Sequence, residues 1–185
     1  LHPAAIQPCR KLDIAVHLKN TMDPDAPGTL ITNREDDSKE IQAVAAKDGI
    51  TLIRITSARM LMAYGFVRKV FEIFEKHKTP VDLITTSEVA VTVTIDDPRH
   101  VDAIVSELRA LGTIEVERNN TIICVVGRMS HESPGVIARV LDCITGVPVK
   151  MLSYGASDRS IAFLVASDRK VEVLRLLNDH LFQNR

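Results

Sequence analysis

Ile50-Thr-Leu-Ile-Arg-Ile55, a glycine at 65, a helical run, Thr79-Pro-Val-Asp-Leu-Ile84, a serine at 87 and Val89-Ala-Val-Thr-Val-Thr-Ile95 form a series of signals that the chain writes twice. The second copy is Thr121-Ile-Ile-Cys-Val-Val126, Gly135, another helical run, Val147-Pro-Val-Lys-Met-Leu152, Ser157 and Ser160-Ile-Ala-Phe-Leu-Val165. Gly65 and Gly135 are 70 residues apart and Pro80 and Pro148 are 68 apart, so both order and spacing are kept. A fixed internal period of this kind marks two copies of one small fold.

Within the first copy, Leu52, Ile53 and Ile55 suit a mostly buried strand. From Phe66 the apolar residues fall at 66, 67, 70, 71, 73 and 74, the one-sided stripe of an amphipathic helix. Gly65 stands at its N-terminal end, and Pro80 ends the run because the residue before a proline is pushed to extended backbone. Val81 to Ile84 and Val89 to Ile95 read as two more strands. Asp97-Pro98 reads as an N-cap with proline at the first helical position. A helix follows over Val101, Ile104, Val105, Leu108 and Leu111, with Gly112 as its stop, and Ile114 and Val116 begin a fourth strand. The order is β-α-β-β-α-β, the ferredoxin-like split.

The second copy repeats this. Ser133-Pro134 caps a helix over Val136, Ile137, Val140, Leu141 and Ile144. Strands over 148–154 and 160–166 follow, then a helix over Val171, Val173, Leu174, Leu177 and Leu181. There the chain ends one strand short. Ile41-Gln-Ala-Val-Ala-Ala46, ahead of the first copy, is the candidate for the vacant edge. The expected fold is α+β: two ferredoxin-like βαββαβ modules packed together, the first inserted within the second. The boundaries are a preceding tail and linker over 1–34, a linker and completing strand over 35–48, the first module over 49–119 and the second over 120–185. In the tail, Leu12 to Leu18 reads as one strand, Asn20 to Gly28 as a turn-rich connector and Asn33 to Glu40 as a charged linker.

Composition limits the function. The chain has 185 residues, 45% apolar and 25% charged, with 23 basic against 24 acidic side chains and a net charge of -1. That balance argues against a general nucleic-acid or anionic-membrane binder, both of which need a concentrated positive field. No stretch approaches the roughly 18 apolar residues of a membrane span. Leu1-His-Pro-Ala-Ala5 has neither an initiator Met nor a signal-peptide core, so a piece of a longer chain is expected. Cys9, Cys124 and Cys143 lack C-x-x-C spacing. They read as small buried hydrophobes in a reducing cytoplasm. With five Phe, two Tyr and no Trp, an aromatic platform for stacking bases is hard to assemble. Asn119-Asn120-Thr121 is formally a glycosylation sequon, but it carries no weight without a secretion signal.

No phosphate-binding G-x-x-x-x-G-K, G-x-S-x-G, H-E-x-x-H or G-x-G-x-x-G motif is present. The six histidines are scattered without ligand spacing, and His131-Glu132 suits a turn before a helix. Catalysis by this chain alone is not expected. The loop Met60-Leu-Met-Ala-Tyr-Gly-Phe-Val67 is more informative, because a strand runs into a glycine turn that opens a helix. Its first amides, at Gly65, Phe66 and Val67, carry the positive end of the helix dipole and suit a carboxylate. The plainer reading is a simple helix start.

Asp82 interrupts an otherwise apolar strand, where an acid is costly unless paired. The second copy has Lys150 there, so the fold does not demand an acid. In this βα topology the first loop and the start of the second strand are expected to lie side by side, with Asp82 facing the amides at 65–67 across a small gap. The pair suits an amino acid, its carboxylate on the helix and its ammonium on Asp82. Thr85-Thr-Ser-Glu88 offers hydroxyls and a second carboxylate. Two acids suit lysine, whereas one suffices for threonine. Pairing of Asp82 with a nearby Lys or Arg is the structural alternative.

Val81-Asp-Leu-Ile-Thr-Thr-Ser-Glu-Val89, with Met60 and Gly65-Phe66, resembles the paired ACT domains of aspartokinase, especially the lysine-sensitive type. Asn20-Thr21 with Asp25-Ala-Pro-Gly-Thr-Leu-Ile31 resembles the join between its kinase and regulatory domains. Ser153-Tyr-Gly-Ala-Ser157 is similar to its second ACT domain, and Leu1-His2-Pro3 to the end of its kinase domain. The resemblance implies feedback regulation, by lysine, of a cytoplasmic kinase that phosphorylates aspartate with ATP and Mg. It implies a homodimer through the first ACT domain, and contact with the chain's own kinase domain. In the family the inhibitor site lies in the first ACT domain at the interface with the partner subunit. By position it would take Met60, Ala63, Gly65, Phe66 and Val67, with Val81, Asp82, Thr86, Ser87 and Glu88. Ala63 and Pro80 replace serines common in lysine-sensitive relatives, which removes two hydroxyls. The kinase motifs are absent from the sequence. Three rivals remain: the same scaffold sensing threonine or another amino acid, an acylphosphatase-type enzyme built on Arg118-Asn119-Asn120, and an RNA-binding fold of the same topology.

Overall fold

The structure, a computed structural model, describes residues 3–34, 40–62, 64–129 and 135–182. Leu1, His2, Ala63, His131, Glu132, Ser133 and Pro134, named above, lie outside them, as do residues 35–39 of the charged linker. The chain divides into two compact units, Leu1–Lys39 and Glu40–Arg185.

In the first unit a helix, α1 (Pro3–Lys11), precedes a short antiparallel hairpin of β1 (Val16–Leu18) and β2 (Thr29–Ile31). The helix was not expected from apolar spacing. Its local signals are a proline at the first helical position and Arg10 and Lys11 in the last turn, where cations suit the dipole. The strand expected over Leu12–Leu18 shortens to Val16–Leu18. The chain leaves α1 through a turn in which Asp13 takes a left-handed φ of 54° and Ile14 N–H returns to Cys9 O at 2.9 Å.

Among the described residues the second unit holds six strands and four α-helices: β3 (Ile41–Thr56), α2 (Phe66–Lys76), β4 (Ile84–Thr86), β5 (Ala90–Ile95), α3 (Val101–Leu108), β6 (Thr113–Gly127), α4 (Val136–Asp142), β7 (Met151–Ser153), β8 (Ser160–Ala166) and α5 (Lys170–Leu181). They build one antiparallel six-stranded sheet in the order β4-β5-β3-β6-β8-β7. The first module is β3-α2-β4-β5-α3-β6, inserted within the second, because Ile41–Lys47 pair with Ile122–Gly127.

Four local expectations need correction. The strands over 41–46 and 50–55 are one 16-residue strand, and those beginning at 114 and 121 are one 15-residue strand. Gly49, at a φ of +75°, does not break β3: the register shifts around Ile50 absorb the extra residues as a bulge. Residues 81–83 approach β5 through single hydrogen bonds but join no regular ladder, so β4 covers only 84–86. Asp97 caps no helix. Its carboxylate accepts from Arg99 N–H at 3.0 Å and grips the Arg99 guanidinium, which holds the carboxyl down at about 2, and α3 begins only at Val101. Gly112 does not stop α3, which ends at Leu108. It is needed because a Cβ there would lie 2.3 Å from Thr56 O, where β6 begins beside the end of β3.

Packing follows the period. On one face of the sheet, α2 and α3 cover Ile53, Ile55, Val91, Val93 and Ile95 with Phe66, Val70, Phe74, Ile104 and Leu108. Next to this, α4 and α5 cover Ile123, Val125, Ile161, Phe163 and Val165 with Val136, Val140, Val173 and Leu177. The opposite face buries Ile50, Leu52, Ile122, Met151 and Leu164, with edge strands β4 and β7 in contact over them.

Because β3 and β6 run through both modules, residues 40–182 are expected to unfold in one transition. Ile53→Ala in the first core should cost about 2–5 kcal/mol and Phe163→Ala in the second about 3–5 kcal/mol. Each should move one urea midpoint reported alike by circular dichroism and by hydrogen exchange in both modules. Two separate transitions in either variant would contradict the shared-strand account.

Candidate functional site

The loop that opens the first module's first helix springs from the end of β3, where Ser57 N–H donates to Val89 O at 2.8 Å. One 3-10 turn over Ala58–Met62 follows, with half-buried Met60 packed on the module core. Gly65 then takes a φ of 76°, a conformation open to glycine, and α2 begins without any side-chain cap. Phe66 is buried in the core, whereas Val67 is 36% exposed on the first turn. The first amides of α2 thus have no N-cap side chain to accept them, a condition that suits an anion at the helix start. The second module repeats this helix start with Gly135 at a φ of 88°, also uncapped.

On the strand side, Val81 packs on the same core as Met60 and Phe66. Thr86 pairs with Val91 on β4. Ser87 turns the chain, its N–H donating to Ala90 O at 2.8 Å and its hydroxyl accepting from Ala90 N–H at 3.1 Å. Glu88 is exposed in that turn. Asp82 N–H donates to Thr94 O at 2.8 Å, and its carboxylate, 25% exposed, accepts from Lys47 Nζ at 2.6 Å. Lys47 also reaches Asp96 at 2.7 Å.

The register corrects one expectation. Strands β3 and β4 both run antiparallel to β5 and therefore parallel to each other. Asp82 lies level with Thr94 and, beyond it, Leu52, near the start of the module's first strand. The helix-opening loop leaves β3 after Thr56, level with Ala90 and hence with Ser87. At about 3.3 Å per residue, the four steps from Asp82 to Thr86 separate the two ends by roughly 13 Å. Within one chain the structure brings Gly65, Phe66 and Val67 to the Thr86–Ser87 end of the strand and places Asp82 at the other. Loop and strand start are not the neighbours that the sequence suggested, because a helix running back along the sheet lies between them.

Lys47 was missed by sequence reasoning, which foresaw only that some Lys or Arg could pair with Asp82. It lies 35 residues away, and its one signal is a lone cation closing the small apolar run Ala43-Val-Ala-Ala46. Lys150 is likewise paired, at 2.6 Å from Glu117 and 2.8 Å from Asn120 Oδ1. The cysteines, expected to be buried, are all partly exposed, with burial pushing the Cys124 and Cys143 thiols up. Among the described residues no His, Cys, Asp or Glu cluster could hold a metal, and no helix is long and apolar enough to cross a membrane.

Two βαββαβ modules sharing one sheet, each with an uncapped glycine start to its first helix, make a tandem ferredoxin-like region of the kind found in ACT-domain regulatory proteins. The sequence pattern of the ACT domain matches residues 123–181. A structure described as a C-terminal regulatory domain of aspartate kinase from Porphyromonas gingivalis is 43% identical, covering 76% of this chain and 96% of that one, with a TM-score of 0.69. Lysine-sensitive aspartokinase 3 of Escherichia coli is 34% identical over 191 residues, 99% of this chain and 42% of that protein. The structure of Escherichia coli aspartokinase III in complex with lysine and aspartate aligns with a TM-score of 0.86 at 34% identity, over 98% of this chain and 42% of that one. The chain belongs to the aspartokinase family, as its C-terminal regulatory region. It spans about two fifths of the length of the curated relatives it matches.

The Lys47 cluster has a pH signature. Burial works to lower the Lys47 pKa, but hydrogen bonds to and the charges of Asp82 and Asp96 outweigh it and hold Lys47 above its ordinary 10.5. A raised pKa contributes stability fully below the unfolded value and loses it as pH climbs through the folded one. Lys47→Met should therefore lower the melting temperature at pH 7, and its gap to the wild type should close as pH rises past 10.5. A gap that persists unchanged there would show that the cost is one of packing.

Proposed function

We propose that the first ACT module binds lysine and that this binding inhibits aspartate phosphorylation by the parent kinase, the first step toward lysine, threonine and methionine. The observation that carries the reading is an uncapped helix start at one end of the edge strand β4 and an acid, Asp82, at the other. The uncapped start of α2, with Thr86 and Ser87, suits the ligand's carboxylate and polar atoms. Asp82 suits an ammonium. Strand β4 is the edge of the sheet, and Ile84 and Val89 are 39% and 42% exposed beside it.

Antiparallel pairing of two β4 edges about a twofold at Ile84 sets Asp82 of one copy across from Thr86 of the other. Each site is then complete only in the homodimer, with Met60, Gly65, Phe66, Val67, Thr86, Ser87 and Glu88 from one chain and Val81 and Asp82 from the next. The likeness to an Escherichia coli enzyme named lysine-sensitive, and to its complex with lysine, supports lysine as the ligand. In the parent enzyme the unit Leu1–Lys39 would join this region to the kinase domain, which would use ATP and Mg. Lysine would act by its higher affinity for an inactive arrangement, since a ligand shifts an equilibrium only by differential affinity.

Calorimetry of the 185-residue chain should show heat with lysine, lost in Asp82→Ala. Val67→Pro removes one first-turn amide, where proline is tolerated, and should weaken binding on its own. Mixing the two variants should restore one lysine site in each mixed dimer. Restoration fails if both halves of the site belong to one chain, and threonine heat without lysine heat would change the effector.

A further inference from the structure

Asp82 and Lys150 hold equivalent places in the two modules. Asp82 N–H donates to Thr94 O at 2.8 Å and Lys150 N–H to Leu164 O at 2.9 Å, and those acceptors stand one 70-residue period apart. Their partners are equivalent too. Lys47 lies opposite Ile122 and Glu117 opposite Leu52, positions exchanged by the pseudo-twofold that passes through the Ile50–Asn120 pair. Each ion pair ties the start of one module's second strand to the closing strand of the other, and the polarity of the two pairs is reversed.

The reversal gives these two strand starts different chemistry. In the second module the position carries a cation fixed by Glu117 and Asn120, which repels an ammonium. In the first module it carries an acid, but an internal ammonium already rests on it. An amino-acid ligand reaching Asp82 therefore meets a competitor with the same charged group as its own.

We infer that Lys47 is the residue that sets the first module's affinity for an ammonium ligand, holding Asp82 in the empty site and withdrawing to Asp96 when the ligand arrives. This rests on the reading that Asp82 takes the effector's ammonium. The second carboxylate makes the exchange mild, because Lys47 keeps its 2.7 Å contact to Asp96 after giving up Asp82. Lys47 and Asp96 are 47% and 38% exposed on their side chains, so the exchange takes place against water and within the small range of exposed ion pairs. Lys47 thus acts as a built-in threshold on ligand concentration.

The test is lysine titration calorimetry on the full 185-residue chain and three single variants, Lys47→Gln, Asp96→Asn and Asp82→Asn, with the Lys47→Gln/Asp96→Asn double variant. Lys47→Gln should tighten lysine binding by about fivefold. Asp96→Asn should weaken it, since Lys47 then has only Asp82 to hold. That weakening should vanish in the double variant, which a generally damaged fold would not reproduce. Lys47→Gln binding equal to or weaker than wild type, with Asp82→Asn binding abolished, overturns the inference and leaves the site intact. Wild-type binding by Asp82→Asn overturns the reading of Asp82 and the role of Lys47 with it.

Discussion

The pairing of β3 with β6 is the constraint on which the rest of this unit depends. Each strand is long enough to serve two modules, so one hydrogen-bonded ladder, Ile41–Thr56 against Thr113–Gly127, is the shared middle of both sheets. A ferredoxin-like module needs four strands, and only the first copy supplies all four from its own segment. The second borrows Ile41–Lys47 from ahead of the first, which makes insertion of one module within the other a topological requirement. The ladder bends where Asn120, fully buried, donates to Glu117 O at 2.9 Å and accepts from Lys150 at 2.8 Å. A buried amide can be tolerated there because its donor and acceptor sides are both engaged.

The period carried most of the architecture in the sequence. Gly65 and Gly135, Pro80 and Pro148, and the stripes over 66–74 and 136–144 located the helices and the strand order, because helix starts and amphipathic spacing are local properties. Continuity of the long strands was not legible. Asp48-Gly49 and Asn119-Asn120 carry the residues of turns, and only pairing against a neighbouring strand turns such positions into bulges. Helix α1 escaped for another reason: Pro3 at its start and Arg10 and Lys11 in its last turn are local signals, but it has no apolar stripe to reveal it.

The candidate site was legible in its residue types and not in its arrangement. An acid within an apolar strand and a glycine before a helix can each be noticed in isolation. Which end of a strand each occupies depends on strand direction, and direction follows from the sheet order. Parallel β3 and β4 put the helix-opening loop and Asp82 at opposite ends, a conclusion that no spacing rule supplies. The same long-range geometry hid Lys47, whose partners come from two separate connections, Asp82 from the approach to β4 and Asp96 from the residue that follows β5.

The separation within one chain bears on why such a module would work as a regulator. In the dimer proposed above, a site whose halves lie at two ends of an edge strand would bind weakly in a lone copy and would gain its second half only when edges pair. Ligand and pairing would then stabilise each other, since each would make contacts that the other completes. The second module lacks the means for the same coupling. It has the uncapped helix start at Gly135, but Lys150 stands where an ammonium would need an acid, held by Glu117 from the first module. A single change of polarity across the pseudo-twofold therefore distinguishes the copies: the second holds a cation at the strand start, paired to Glu117, while the first holds an acid there, paired to Lys47.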